Sequence, residues 1–283
     1  MIPSLPRPPW LRAATWIYVA AFVGFLFLPL IVVSVFAFND APYPAPPWHS
    51  FTLDWFVADG STSRLGLFHD SQLLESIWTS CEVGVWVTLL SVSVGLANAL
   101  LLGRHEFRGK QLLSVMMLVP LVIPGVILGI SILAFASRIA QFGDDSLGLD
   151  LGFLRPGLPL VVLGQFSYIA TIATLTIRAR LARFDRTLEE AALNLGASRA
   201  AVFATILLPY LRPALIGTAA VAFLLSFADF NTTLMLVGGD PPLTVLMYGR
   251  MHQGATPVLN AVSVFLMIAS AALALAMVRR PRD

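Results

Sequence analysis

Residues 188–209, LEEAALNLGASRAAVFATILLP, form an amphipathic island between two apolar runs, Pro156–Ile177 and Pro213–Ala228, that contain no Asp, Glu, Lys or Arg. Asp185 to Thr187 offers an N-cap, and Glu189 and Glu190 then fall in a first helical turn, where they complement the positive end of the helix dipole. Leu188, Ala191, Ala192 and Leu195 recur at helical spacing and predict one apolar face. Gly196 stops that helix, and a second helical run, Arg199–Leu207, leads to Pro209. Two short helices meeting at a glycine predict a stiff elbow. The plainer alternative is an amphipathic pair lying on lipid headgroups.

Outward from the elbow the chain is apolar. Of 283 residues 57% are hydrophobic and 12% are charged, with a mean hydropathy of +0.81. A soluble domain carries about twice that charged fraction, so most of this surface faces something other than water. Ala13–Asn39, Val83–Gly103, Gln111–Ser137 and Pro156–Ile177 are free of Asp, Glu, Lys and Arg, and Met251–Val278 has only His252 as a titratable group. Each is long enough for the roughly 20 helical residues that cross a bilayer. Pro213–Ala228 is shorter and spans only if Asp229 lies in or at the edge of the membrane. The first run is too long for a signal-peptide core and lacks a convincing cleavage pattern, so it is read as an uncleaved first helix.

The charges orient these spans. With the N-terminus inside, Arg7, Arg12, Arg104, Arg108, Lys110, Arg178, Arg180, Arg183, Arg186, Arg199, Arg212, Arg279, Arg280 and Arg282 fall on the cytoplasmic side, which is 14 of 18 basic residues. Only Arg64, Arg138, Arg155 and Arg250 fall outside, so the positive-inside rule selects this topology. The net charge of +2 follows from topology and gives no nucleic-acid surface, since no basic patch alternates with aromatics.

Several chemistries are set aside. Cys81 is the single cysteine, neither CxxC nor HExxH occurs, and His49, His69, His105 and His252 are scattered, which leaves no disulfide framework and no metal site. Gly103 to Lys110 superficially suggests a phosphate loop, but five residues separate the glycines and Gln111 stands where Ser or Thr should hold magnesium. The Pro-rich stretch 41–48 predicts an extended covering loop. Pro29, Pro120 and Pro124 predict kinks, and Gly84, Gly95, Ala97, Ala99, Gly125 and Gly129 predict close helix approach. No internal repeat is found.

From Glu190-Ala-Ala192 through Gly196 to Ile206-x-Leu208-Pro209, the chain meets every position of EAA-x3-G-x9-I-x-L-P and so resembles the EAA-loop permeases of binding-protein-dependent, type I ABC importers. The resemblance implies an all-α membrane protein with six transmembrane helices, at about 14–38, 78–102, 112–137, 157–177, 213–237 and 257–278, and with N- and C-termini cytoplasmic. It implies one permease domain over 1–283, an external loop at 39–76 and a coupling loop at 178–212. Glu189, Glu190, Ala191, Ala192, Gly196 and Ala197 would then contact a separate ATPase subunit.

Residues 27–31, 118–130, 225–230 and 254–261 further resemble permeases of spermidine and putrescine importers, more the PotC-like than the PotB-like chain of the pair. Two departures remove negative charge: Ala228 precedes Asp229 where many such permeases have a second acid, and Gly125 often replaces Glu. Independently of the resemblance, an ionisable group at membrane depth is a functional candidate. Asp229 and Glu82 are the acidic ones, with Phe227, Phe230, Phe166 and Tyr168 as cation–π neighbours. Structural alternatives are a capping carboxylate at Asp229, an interfacial Glu82 and ordinary helix-packing aromatics. The expected machine is a non-catalytic permease subunit in the inner membrane. Its partners would be two copies of an ATPase that uses ATP and Mg, a second PotB-like permease and an external substrate-binding protein. This chain would bind no cofactor itself. The expected solute is a polyamine or other small organic cation. The alternatives are an amino acid-like compound or oxyanion, and a secondary transporter.

Overall fold

The computed structural model describes residues 8–44, 46–61, 64–254 and 256–278, with side chains described as far as Ala272. Arg7, Arg279, Arg280 and Arg282, which entered the charge count, lie outside the described residues, as do residue 45 of the Pro-rich stretch and Ala255. The helices are α1 (Pro9–Phe36), α2 (Asp54–Val57), α3 (Ser71–Arg104), α4 (Lys110–Val122), α5 (Gly125–Phe142), α6 (Leu158–Leu181), α7 (Thr187–Asn194), α8 (Arg199–Val202), α9 (Leu208–Ala228), α10 (Asn231–Leu236), α11 (Leu243–Gly254) and α12 (Val258–Val278). Among the described residues there is no β-sheet, only two isolated bridges.

Among the described residues five helical runs are long and apolar enough to cross a membrane: Pro9–Phe36, Ser71–Arg104, Gly125–Leu147, Leu158–Leu181 and Arg199–Ala228. The last runs continuously through a π turn at Phe203–Leu207 that joins α8 to α9. A sixth candidate, α12, is apolar over Val258–Ala272. Two expected spans are not single helices. The third breaks at Ile123, whose extended ψ of 129° is what the ring of Pro124 imposes on the residue before it. The fifth breaks at Asp229, also extended with ψ 126°, and restarts as the short α10. Helix α11 has no counterpart in the sequence reading, because its hydrophobic residues are interrupted by Arg250 and His252.

The chain forms two compact units, residues 1–71 with 250–283, and residues 72–249. In the first, α1 buries none of its residues. It packs with α12, where the Ser34 hydroxyl donates to the Met267 sulfur at 3.9 Å. The loop after α1 is organised around buried Asn39. Its side chain accepts from the His49 N–H at 2.8 Å and donates to the Pro47 carbonyl at 3.1 Å, while Trp55 Nε1 donates to its main-chain oxygen at 2.9 Å. Arg64 pairs with Asp40 at 2.5 Å and Asp54 at 3.2 Å and lies over the Trp55 ring. The loop closes on a buried ion pair, Arg250 to both oxygens of Asp70 at 2.5 and 3.0 Å. The expected covering loop is therefore a stapled structure containing a short helix.

The second unit buries Val83, Val87, Ala136, Leu160, Val161, Ile169, Ala222 and Leu236 against one another. Small residues set its close approaches. A methyl group at Gly95 would lie 2.8 Å from Ala173 Cβ and 3.0 Å from Thr174 N, so α3 and α6 touch backbone to backbone there. Gly84, Gly125 and Gly129 are equally confined, as is Gly164, which sequence reading passed over, whereas Ala97 is exposed. A second apolar cluster, Leu181, Phe184, Leu207 and Leu211, anchors the ends of α6 and α9 and so fixes the two roots of the segment between them.

Candidate functional site

That segment is the elbow. After α6, the Asp185 carboxylate accepts from the Thr187 N–H at 3.0 Å, which holds this exposed acid below its usual pKa and satisfies a donor at the start of α7. The position immediately before α7 is Arg186, with no side-chain cap, so Asp185 does the capping one residue earlier than the helix boundary. At the other end Gly196 takes φ +86°, the Gly196 N–H donates to the Leu193 carbonyl at 3.0 Å and the Ala197 N–H to the Ala192 carbonyl at 3.0 Å. This is a Schellman motif, and its left-handed residue favours glycine. Ser198 Oγ then accepts from the Ala201 N–H at 3.2 Å and starts α8. Every turn of the elbow has its own local reason.

Exposure divides the predicted residues. Ala192 and Glu189, one turn apart, are half-buried, while Leu188, Glu190, Ala191, Leu193 and Leu195 are exposed. The expected apolar face of Leu188, Ala191, Ala192 and Leu195 is therefore largely open, with Leu195 89% exposed. Gly196 is open as well, with nothing within 4 Å of a methyl group built on it. Ala197 is half-buried. Glu189 is engaged within the chain: Arg104, at the end of α3, grips both of its carboxylate oxygens, the Nη1 to Oε2 bond measuring 2.9 Å. Arg186 Nη2 donates to the Gly103 carbonyl at 2.9 Å. A cavity of about 410 Å³ lies between these groups and Leu193, Arg199 and Phe203. Sequence reasoning missed Arg104 and Arg186 as tethers of the elbow, since Arg104 lies 85 residues from Glu189 and the Gly103 carbonyl lies 83 residues from Arg186.

The second site is the break after α9. Asp229 is half-buried, and its carboxylate accepts from the Thr233 N–H at 2.9 Å, the Thr233 hydroxyl at 2.7 Å and the Tyr168 hydroxyl at 3.2 Å. Behind it, buried Gln165 donates to Thr233 Oγ1 at 2.8 Å and accepts from the Ser226 hydroxyl. Every donor in the row Ser226, Gln165, Thr233 points toward Asp229, so the bonds polarise one another in one direction. The Thr244 hydroxyl, on α11, donates to the Asp229 carbonyl at 2.9 Å and secures the broken backbone. Among the described residues no Lys, Arg or His forms an ion pair with Asp229.

Of the other path candidates, Tyr168 meets Asp229 directly. Phe230 packs on Tyr248 and Phe227 on Phe223, while Phe166 is half-buried. Glu82 joins none of these contacts. It lines an apolar cavity of about 380 Å³ with Val83, Trp86, Phe153, Leu158 and Val162. Gln165, Thr233, Ser226 and Thr244 were not singled out from sequence. Gln165 had a signal, as the only side-chain amide inside the apolar run Pro156–Ile177.

Comparison with known proteins matches residues 95–280 to the model for binding-protein-dependent transport system inner membrane components. The chain is 27% identical over 251 residues to the spermidine/putrescine transport system permease PotC of Haemophilus influenzae, covering 88% of this chain and 89% of that one. It is 27% identical over 258 residues to the putrescine transport system permease PotI of Escherichia coli K12, covering 89% and 85%. In three dimensions it matches a bacterial ABC transporter involved in the import of the acidic polysaccharide alginate, with a TM-score of 0.76, 18% identity and 95% and 93% coverage. That likeness supports the all-α permease fold. The family match covers more than half of the chain, so this is a multi-pass inner-membrane permease that belongs to the binding-protein-dependent transport system inner membrane component family, of the type I ABC importer kind.

Proposed function

We propose that the chain is the permease subunit of an ATP-driven importer for polyamines or similar small organic cations. The observation that carries the cation is Asp229: a carboxylate at a helix break inside the apolar part of the chain, held by three neutral donors and, among the described residues, by no basic side chain. Removing charge from water is costly, and a carboxylate so placed needs a compensating positive group. An ammonium end of a diamine supplies one, and the Tyr168, Phe230 and Tyr248 rings around the break suit it. The similarity to spermidine and putrescine permeases supports the same solute class. Broken helices with half-helix ends are also where other membrane transporters hold their substrates.

In this reading the arginine-rich end, with the elbow, faces the cytoplasm and both termini lie there. The exposed face around Glu190, Ala191, Leu195 and Gly196 seats in a separate ATPase, present in two copies, that uses ATP and Mg. A second permease and an external binding protein complete the assembly, and this chain performs no hydrolysis. The test is the complete transporter in proteoliposomes, challenged with spermidine, putrescine, amino acids, oxyanions and sugars. Spermidine or putrescine should be imported, and Asp229→Asn should lower import about tenfold while the subunits still co-purify, the scale expected for one lost ionic contact. Full activity of Asp229→Asn removes the cation site.

A further inference from the structure

The two adjacent glutamates at the start of α7 differ in what they touch. Glu190 is exposed, whereas the Glu189 side chain is only 16% exposed and is gripped through both oxygens by Arg104, itself 25% exposed. The residues lie 85 positions apart, so this pair ties α7 to the end of α3. A second link crosses between the same two segments in the other sense, from Arg186 beside α7 to the main-chain carbonyl of Gly103 in the last turn of α3. No side chain of α7 is fully buried, and the cavity of about 410 Å³ lies beneath it. Apolar packing therefore does little to hold this helix against the body of the unit. Its attachment rests on its two covalent roots and on these polar links.

We propose that Arg104 and Glu189 form a latch through which movement of α7 is carried into α3, Arg104 being a positioning residue for energy coupling and Glu189 facing the permease and not the ATPase. The proposal rests on the importer reading above. A bidentate guanidinium–carboxylate pair fixes orientation as well as distance, which a single contact or a lysine does not. With the Arg186 link beside it, α7 can neither pivot nor slide without displacing the end of α3. The other end of that attachment is firm: a methyl group on Gly103 would lie 3.0 Å from the Leu181 side chain, so the last turn of α3 sits directly on the end of α6. Gly103 and Arg104, which open the stretch whose glycine spacing is wrong for a phosphate loop, thereby gain a mechanical role.

The experiment uses the complete transporter with its binding protein in proteoliposomes, with spermidine as solute, and reads ATP hydrolysed per spermidine imported. Arg104→Glu and Glu189→Arg are compared with the double exchange R104E/E189R. Each single reversal is expected to worsen the ratio roughly two- to thirtyfold, the range found for residues that modulate coupling between sites. The double exchange is expected to return it to the wild-type range. Coupled single variants overturn the latch. So does a double exchange as defective as Glu189→Arg alone, because Glu189 would then act on the ATPase directly. Should a single reversal yield no complex, Glu189→Gln and Arg104→Lys replace it. Each keeps volume and one hydrogen bond, and an unchanged ratio in both overturns the proposal. Failure of the importer reading looks different, since the wild-type complex would then import no spermidine at the expense of ATP.

Discussion

Replacing Gly196 tests whether the elbow works through backbone conformation or through contact. The residue sits at φ +86° with open space around it, nothing lying within 4 Å of an added methyl group. Within this chain a side chain therefore meets no steric obstacle, and the whole penalty is conformational. An L-residue in the left-handed region costs about 1–2 kcal/mol, less for asparagine, whose side chain bonds locally. Gly196→Ala should thus lower the population of the formed elbow by roughly tenfold relative to open forms, 1.4 kcal/mol being one decade, and Gly196→Asn should lose less. Gly196→Pro should be worst, because its ring fixes φ near −65° and it removes the N–H that donates to Leu193. The assay is ATP hydrolysed per solute imported in the reconstituted transporter, with amide exchange over residues 187–202 reporting the elbow itself. The expected order of retained coupling is Gly, Asn, Ala, Pro. A defect that instead follows side-chain volume, with asparagine worse than alanine, would refute the conformational argument and assign Gly196 to close approach by the ATPase.

Gly95→Ala should lower the melting temperature of the purified protein by several degrees. The new methyl group would press on main-chain atoms of Ala173 and Thr174, and overpacking of this kind costs about 1–3 kcal/mol. Gly217→Ala, with nothing within 4 Å in the interior of α9, should be neutral or slightly stabilising in the same melt; equal effects would refute the close approach of α3 and α6. Asp70→Asn takes the negative charge out of a largely buried ion pair with Arg250 and should lower stability, read as faster proteolysis within residues 40–70. Asp54→Asn, at the exposed end of the Arg64 network, should change that rate little.

The apolar, all-helical character of the chain and the elbow were legible in the sequence because each is a local property. Hydropathy over about 20 residues needs no tertiary knowledge, and the Schellman turn at Gly196 and the caps at Asp185 and Ser198 are made by residues within five positions of one another. The breaks in two spans were partly legible. Pro124 announces its own break through the constraint on Ile123, whereas the break at Asp229 rests on its own carboxylate accepting the Thr233 N–H and on the distant Thr244 hydroxyl donating to its freed carbonyl. Helix α11 was not legible, since its burial of Leu243 and Leu246 depends on the rest of the unit and its apolar pattern is interrupted by charge.

The same distinction separates the two acidic features that matter most. The motif begins at Glu190 and is silent on Glu189, so it does not say which of the two adjacent acids faces the body of the protein. Helical geometry turns successive side chains by about 100°, so only one of an adjacent pair can face the body of the protein. In this chain that one is Glu189, and the choice is made by Arg104, 85 residues earlier. Asp229 is the complementary case. Its neighbours Tyr168, Gln165 and Thr233 supply donors and no charge, so the site is arranged to hold a carboxylate in place without neutralising it. One acid is satisfied inside the chain and serves position. The other is oriented by neutral donors and, among the described residues, has no basic partner, which is what the proposed cation site requires.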